Sequence, residues 1–278
     1  MSDDRRDTPH EPARPGPMRI SLAALRCLLR GLPRFFRASP KTPLRVLGII
    51  ALDTLRVLRT SRPLAQKKIG ELAMVLDFLG CTNAAWDRKE LCRSEFETTR
   101  RRLERDGLGV DIEAFLSRLR ELESRRPGIG GDARRFDEVR SYREAVARLC
   151  VGTAAAIALD AGCAEEAIGT TQHDADVETL ISILLQCQVI DDVVDYADDV
   201  SGGLPSFLTA TASLPQALDL TAAAARSYGA NRDSGGAIFP FRITLALFTA
   251  TAGLVLRLAA RRHRHHANLE EVCRRVGT

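Results

Sequence analysis

The run from Gln188 to Asp199 sets three aspartates, Asp191, Asp195 and Asp199, at successive fourth positions. On a helix such residues lie above one another, so the three carboxylates form a column on one face, the aspartate ladder. Like charges at this spacing cost about a few tenths of a kcal/mol per pair until something neutralises them. The expected neutraliser is a hard divalent cation, because Mg²⁺ takes one or two carboxylates together with water and substrate phosphates.

The sequence around the ladder predicts a buried helix. A nearly continuous apolar run, 180–187, precedes the ladder, and Val and Ile residues alternate with its acids. Buried carboxylates need partners, which favours a metal site over the alternative of a solvated acidic face. We therefore predict a central helix over 174–200, with the face of Asp191, Asp195 and Asp199 opening on an apolar cavity.

The rest of the chain shows long helical periodicities and no strand-like alternation, which predicts an all-α, single-domain helical bundle. Asp111 and Ser213 are predicted N-caps. Seven scattered cysteines without a C-x-x-C pair favour neither disulfides nor zinc, so a cytoplasmic location is expected. Helices are predicted over 19–37, 43–60, 64–105, 111–125, 132–161, 174–200, 213–229 and 240–275. The predicted organisation is a disordered tail over 1–17, basic amphipathic helices over 18–62 and a helical domain over 63–278.

The segment 18–62 carries ten Lys and Arg residues against the single Asp53, mixed with Leu, Ile and Phe. Such a segment can make peripheral contact with an anionic membrane. It can equally form helices that pack on the core and extend their arginines into solvent, and both interpretations stay open. Nucleic acid is not an expected partner, because the stacking aromatics and Gly-rich loops of RNA-binding modules are missing.

A second apolar run, 237–260, is long enough to raise the question of a transmembrane helix. It contains Pro240, Arg242 and Arg257 together with many small residues. A core helix of the bundle is therefore predicted.

The pattern Gln-x-x-Asp-Asp-x-x-Asp-x-x-x-Asp at 188–199, followed by Gly-Gly-Leu-Pro at 202–205, resembles the second aspartate-rich motif of the class I isoprenoid synthases. It is similar to that of trans-prenyltransferases and to that of the squalene/phytoene synthase branch. The resemblance implies a helical bundle of the isoprenoid (terpenoid) synthase type. It also implies that Mg²⁺ bound by Asp191, Asp192, Asp195 and Asp199 holds the diphosphate of an allylic substrate, with Gln188 beside it.

The first aspartate-rich motif of that family, D-D-x-x-D followed after four residues by two arginines, is absent from the sequence. The nearest match sets Asn83 and Asp87 in place of its first and last aspartates, and Arg93 in place of its second arginine. We expect Asn83 and Asp87 to bind metal, since an amide oxygen can still ligate Mg²⁺, and Arg93 to bind substrate. The alternative is that 83–93 is only the polar part of a long helix.

Two cationic side chains and one aromatic side chain complete the expected site. Lys68 and Arg143 are candidate diphosphate ligands, and Arg143 lies in a segment, 142–152, that resembles the Tyr…Val-Ala…Val-Gly helix of phytoene synthases with one extra residue. Phe78 precedes Asn83 by five residues, where bulky aromatics limit the growing product in similar short-chain prenyltransferases. It is therefore expected to contact substrate.

The resemblance implies a Mg²⁺-dependent enzyme that ionises an isoprenoid diphosphate, with Asp191, Asp195 and Asp87 as catalytic residues. Because aromatics are only 5% of the residues, prenyl transfer or coupling is favoured over cyclisation. The alternative is a non-catalytic partner subunit or a prenyl-diphosphate-binding protein. A di-iron bundle is disfavoured by the lack of Glu-x-x-His pairs. Peripheral membrane contact through 18–62 and a homodimer both stay open.

Overall fold

A computed structural model describes residues 43–88, 93–160, 174–230 and 240–276 of the chain. These residues form helices joined by short loops and contain no strand, so the prediction of an all-α fold is confirmed. The finer assignment to the isoprenoid synthase type stays a prediction. The described helices are α1 (Pro43–Thr60), α2 (Gln66–Arg88), α3 (Arg93–Arg105), α4 (Gly109–Glu123), α5 (Ala133–Leu159), α6 (Ala175–Val194), α7 (Tyr196–Gly202), α8 (Leu214–Gly229) and α9 (Phe241–Val276).

Local capping signals account for several helix starts. The Asp174 carboxylate accepts hydrogen bonds from the backbone N–H groups of Asp176 (2.9 Å) and Val177 (3.3 Å), which begins α6. Ser213 occupies the N-cap of α8 as predicted, although its side chain makes no capping hydrogen bond. The prediction for Asp111 is wrong: α4 is capped at Leu108, so Asp111 lies in the first turn, where its charge complements the helix dipole.

Helix α6 lies at the centre of the described bundle, as its apolar sequence predicts. It packs against α5, α8 and α9, and α5 packs in turn against α1, α2 and α4. Each large apolar side chain buried in this way contributes roughly 1.5–3 kcal/mol. The buried apolar residues of α6 are Val177, Leu180, Ile181, Leu185 and Val189.

Helix α1 belongs to the same core as the later helices. Its residues Ile49, Leu52 and Leu55 are buried in the single cluster that also contains the core of α5 and α6. The described part of 18–62 therefore packs into the same core as the rest of the described bundle. Residues 1–17, and the part of 18–62 before Pro43, lie outside the described residues.

The arginines of α1 are paired with acids of the bundle. Arg45 contacts Asp77 at 2.7 Å, and Arg56 contacts Asp160 at 2.7 Å. Arg59 contacts Asp174 and Asp176 at the start of α6. For the described part of 18–62, these contacts favour packed helices over membrane contact.

Helix α9 differs from its prediction as a core helix. One side is buried, but the other exposes large apolar side chains to 51–64%. Within the described chain, Phe241–Arg264 is the one helix long and apolar enough to cross a membrane, and little of it is buried. The prediction failed because apolar composition alone does not separate a core helix from a surface helix with an exposed apolar face. The exposed residues are Ile243, Leu247, Leu254 and Leu258.

Candidate metal and diphosphate site

The aspartate ladder crosses a helix break. The backbone N–H of Asp195 donates to the carbonyl of Asp191 (2.8 Å), and that of Asp199 donates to the carbonyl of Asp195 (2.9 Å). The spacing of four residues is therefore kept, even though Asp195 (φ −97°, ψ 11°) ends α6 and begins α7. Gly203, with φ +64°, ends α7 in a left-handed conformation that favours glycine.

Two of the ladder carboxylates, Asp191 and Asp199, have a raised pKa. Partial burial raises the pKa of Asp191, and the charge of Asp195 raises it further. Burial likewise raises the pKa of Asp199, which a hydrogen bond with Ser206 lowers, while the charges of Asp195 and Asp191 raise it. Each carboxylate therefore lies in the field of its neighbours, and a bound cation would relieve this repulsion.

The ladder faces solvent. Asp191 and Asp195 are exposed, and Asp199 is half-buried. The expectation that the ladder opens on an apolar cavity is not met by the described residues. Two surface cavities lie along the first half of α5, and no ladder residue lines them. Their lining includes Arg125, Arg134, Glu138 and Tyr142.

Asp192 lies beside the ladder on α6 and is only 4% exposed. One carboxylate oxygen accepts from the backbone N–H of Phe207 (2.6 Å), and the other accepts from Nη2 of Arg143 (3.2 Å). Burial raises the pKa of Asp192 to about 6, although Arg143 and the Phe207 N–H both lower it. These contacts give Asp192 a structural role. That it also ligates a metal stays a prediction.

Arg143 joins three segments that are distant in sequence. From α5 it contacts Asp192 on α6 and donates to the carbonyl of Pro205 (3.1 Å) in the loop that follows α7. Its charge lowers the pKa of Asp191, Asp192 and Asp199, so it lies within electrostatic reach of the ladder. Its Nε–H is buried and has no hydrogen-bond partner.

Gln188 lies one turn before Asp191 and Asp192 on α6. Its side-chain oxygen is buried and has no hydrogen-bond partner. A buried acceptor without a donor is costly, so Gln188 leaves one polar group free for a ligand. Its role in substrate binding stays a prediction.

Side-chain hydrogen bonds hold the loop that follows the ladder. The hydroxyl of Thr209 accepts from the N–H of Ser206 (2.8 Å) and donates to the carbonyl of Leu204 (2.7 Å). These bonds hold the Phe207 N–H towards Asp192. These hydrogen bonds were not predicted from the sequence. The Ser-x-x-Thr spacing of Ser206 and Thr209 is the sequence signal that indicates them.

Lys68 is not brought to the ladder. Its ammonium group contacts Glu71 (3.0 Å) and Asp160 (2.9 Å); burial lowers its pKa, but these hydrogen bonds raise it overall. Asp160 follows the end of α5, whereas Arg143 lies about 24 Å earlier along that helix at 1.5 Å per residue. The structure therefore does not bring Lys68 next to Arg143, and its role in diphosphate binding stays a prediction.

Phe78 is a core residue. Its ring is fully buried, stacks on Phe96 at 5.0 Å between centroids and meets Phe115 at 6.4 Å. Helices α3 and α4 cover the ring, and its contact with substrate stays a prediction.

The weak first motif is only partly described. Asn83 and Asp87 lie in the last turns of α2, and Arg93 begins α3. Their side chains and residues 89–92 lie outside the described residues, so the metal and substrate roles of Asn83, Asp87 and Arg93 stay predictions.

The ladder suits a metal that shares its ligands with a substrate. Among the described residues, no three Asp, Glu, His or Cys side chains are grouped closely enough to hold a metal ion by themselves. Mg²⁺ needs only one or two carboxylates, provided that phosphate and water oxygens complete its coordination. A neighbouring pair of ladder carboxylates supplies that number of ligands, and Mg²⁺ binding at the ladder stays a prediction. Comparison with protein-family models, curated proteins and solved structures found no match to the chain.

Proposed function

We propose that this chain is a Mg²⁺-dependent enzyme of the class I isoprenoid synthase type that acts on an isoprenoid diphosphate. The observation that carries the proposal is the junction of Asp192, Arg143 and Pro205. Each of the three lies in a segment whose sequence resembles that family, and the segments are separated by up to 62 residues. Their meeting at one place is what a shared substrate site requires.

The geometry of the site suggests a separate role for each of its residues. Asp191, Asp195 and Asp199 would hold Mg²⁺, which supplies positive charge to the leaving diphosphate when it is bound. Arg143 adds a fixed cation beside the ladder, with one N–H that has no acceptor. Asp192 is a positioning residue that holds the guanidinium of Arg143 and the loop at Phe207.

Prenyl transfer or coupling is the proposed reaction class. Cyclases usually stabilise their cations with aromatic faces that line the cavity. Here the described rings pack against each other instead: Phe207 meets Phe136 at 6.1 Å and Tyr228 at 6.4 Å. Because these aromatic rings pack against one another inside the core, their faces are not free to stabilise a cation. This supports capture of the cation by a second substrate over multi-ring cyclisation.

A second candidate function is non-catalytic binding of a prenyl diphosphate. It is favoured by the exposure of Asp191 and Asp195, because an allylic cation formed beside solvent would be captured by water. A binding protein, or a partner subunit that completes the site of another chain, has no need to exclude water.

Product analysis separates the two candidates. The protein would be incubated with Mg²⁺ and geranyl, farnesyl or geranylgeranyl diphosphate, each with and without isopentenyl diphosphate. An enzyme gives a prenylated or coupled product that is lost in the Asp191→Asn/Asp195→Asn variant. Binding of the diphosphates without any product supports the second candidate, and the absence of both binding and product rejects the two together.

A further inference from the structure

Helix α9 carries an apolar stripe on its outer face. Its four residues are separated by four, seven and four positions, which places them on one side of a helix. They are exposed to 52%, 64%, 51% and 54%, so no described part of the bundle covers them. Large apolar side chains exposed along one face of a helix indicate an interaction site. The stripe consists of Ile243, Leu247, Leu254 and Leu258.

The same helix is strongly basic. Between Phe241 and Leu269 the sequence contains no aspartate or glutamate. Five arginines accompany the stripe, and all five are exposed. They are Arg242, Arg257, Arg261, Arg262 and Arg264.

From this combination we propose that α9 binds the surface of an anionic lipid bilayer. The helix lies in the plane of the interface, with the apolar stripe inserted among the acyl chains and the arginines at the level of the phosphates. This surface differs from the predicted contact through 18–62, where the three arginines of α1 are paired within the bundle. The inference does not depend on the proposed catalytic function.

A transmembrane orientation conflicts with the packing of α9. The Thr249 hydroxyl accepts from Nε2 of the buried Gln186 on α6 (3.0 Å). On α8, Gly229 lies so close to α9 that an added Cβ would come within 2.5 Å of the Thr249 side chain. Spanning a bilayer would require α9 to leave both neighbours. Binding in the plane leaves these contacts intact.

A second copy of the chain is the less suitable occupant because its charges conflict. In an antiparallel pair centred on the stripe, Arg242 of one copy lies within about one helical turn of Arg257 of the other. A parallel pair sets Arg257 against its own equivalent. Both arrangements bring cations together without an acid from α9 between them, whereas anionic phosphates neutralise them.

The test is co-sedimentation of the full chain with two kinds of vesicle, phosphatidylcholine alone and phosphatidylcholine mixed with phosphatidylglycerol. The wild-type protein should sediment with the mixed vesicles and be released by high salt. Leu247→Ser/Leu254→Ser should weaken this binding at least about tenfold, since two half-exposed leucines no longer insert. Val110→Ser on α4, a change at a residue 69% exposed, is the matched control and should bind like the wild type.

A gain-of-signal variant checks insertion directly. Leu254→Trp adds an indole to the stripe of a chain whose single tryptophan is Trp86. Its fluorescence should shift to the blue on addition of the mixed vesicles and be quenched by brominated acyl chains, beyond the wild-type signal. Equal vesicle binding by wild type and Leu247→Ser/Leu254→Ser overturns the proposal. Unchanged vesicle binding together with a dimer-to-monomer change in that variant assigns the stripe to a second copy.

Discussion

The contact between Arg143 and Asp192 should be energetically coupled, and a double-mutant cycle measures that coupling. The guanidinium Nη2 lies 3.2 Å from the carboxylate oxygen, and the two side chains are 21% and 4% exposed. Two unit charges at that distance interact by about 5 kcal/mol at an effective dielectric constant of about 20. Desolvation and the partial exposure of Arg143 offset more than half of this, which leaves an expected coupling of about 2 kcal/mol.

The cycle consists of wild type, Arg143→Met, Asp192→Asn and the double variant, each unfolded in urea at pH 8 without metal. Arg143→Met should cost about 2–4 kcal/mol, because it leaves a buried carboxylate without its cation. The double variant should be less destabilised than the sum of the single variants by about 2 kcal/mol. Additivity within about 0.5 kcal/mol would refute the argument that this pair holds α5, α6 and the loop together.

The contribution of Asp192 to the free energy of unfolding should change with pH in a defined direction. The pKa of Asp192 is about 6 in the folded protein, above its ordinary value of 3.8, so the folded state holds the proton more tightly. The contribution of this carboxyl to the free energy of unfolding is therefore full below pH 4 and falls as the pH rises to about 6. At pH 5 the group is mostly neutral, and the coupling with Arg143 should drop below half of its value at pH 8.

Two further changes test the packing of the core and the end of α7. Phe78→Ala should lower the free energy of unfolding by about 3–5 kcal/mol in urea titrations, since the ring is fully buried between Phe96 and Phe115. A decrease of less than about 1 kcal/mol would contradict this packing. Gly203→Ala should lower the free energy of unfolding by about 1 kcal/mol in the same assay. The φ of +64° at this position strains any residue with a Cβ, although no atom lies within 4 Å of where the Cβ would be. An unchanged urea midpoint would argue against the left-handed end of α7.

Local sequence signals predict the helices well where capping and periodicity agree. The predicted helix over 43–60 matches α1, and the apolar run before the ladder correctly places α6 at the centre. The break at Asp195 has no such signal, because neither Gly nor Pro lies near it and the i, i+4 hydrogen bonds continue across it. The predicted helix over 174–200 therefore appears as α6 and α7.

The direction of each side chain depends on neighbours that the local sequence does not reveal. Asp191 and Asp192 are adjacent, yet one is exposed and the other is 4% exposed, because successive residues on a helix point about 100° apart. Arg143 and Lys68 were equivalent candidates by residue type. Only the tertiary pairing brings Arg143 to Asp192 and Lys68 to Asp160.

The central claim is that the ladder binds Mg²⁺ jointly with a diphosphate, and differential scanning calorimetry with Mg²⁺ and inorganic pyrophosphate tests it directly. Added together at about 100 times their joint dissociation constant, they should stabilise the protein by about 3 kcal/mol, which corresponds to roughly 5–10 °C in Tm; either alone should do much less. Asp191→Asn/Asp195→Asn should abolish the response without lowering the Tm of the unliganded protein, since a repulsive pair has gone.

The matched control for this measurement is Asp219→Asn, an exposed aspartate on α8 outside the ladder. It should keep the wild-type rise in Tm. If Asp191→Asn/Asp195→Asn also keeps that rise, the ladder is not the metal site and the central claim is contradicted.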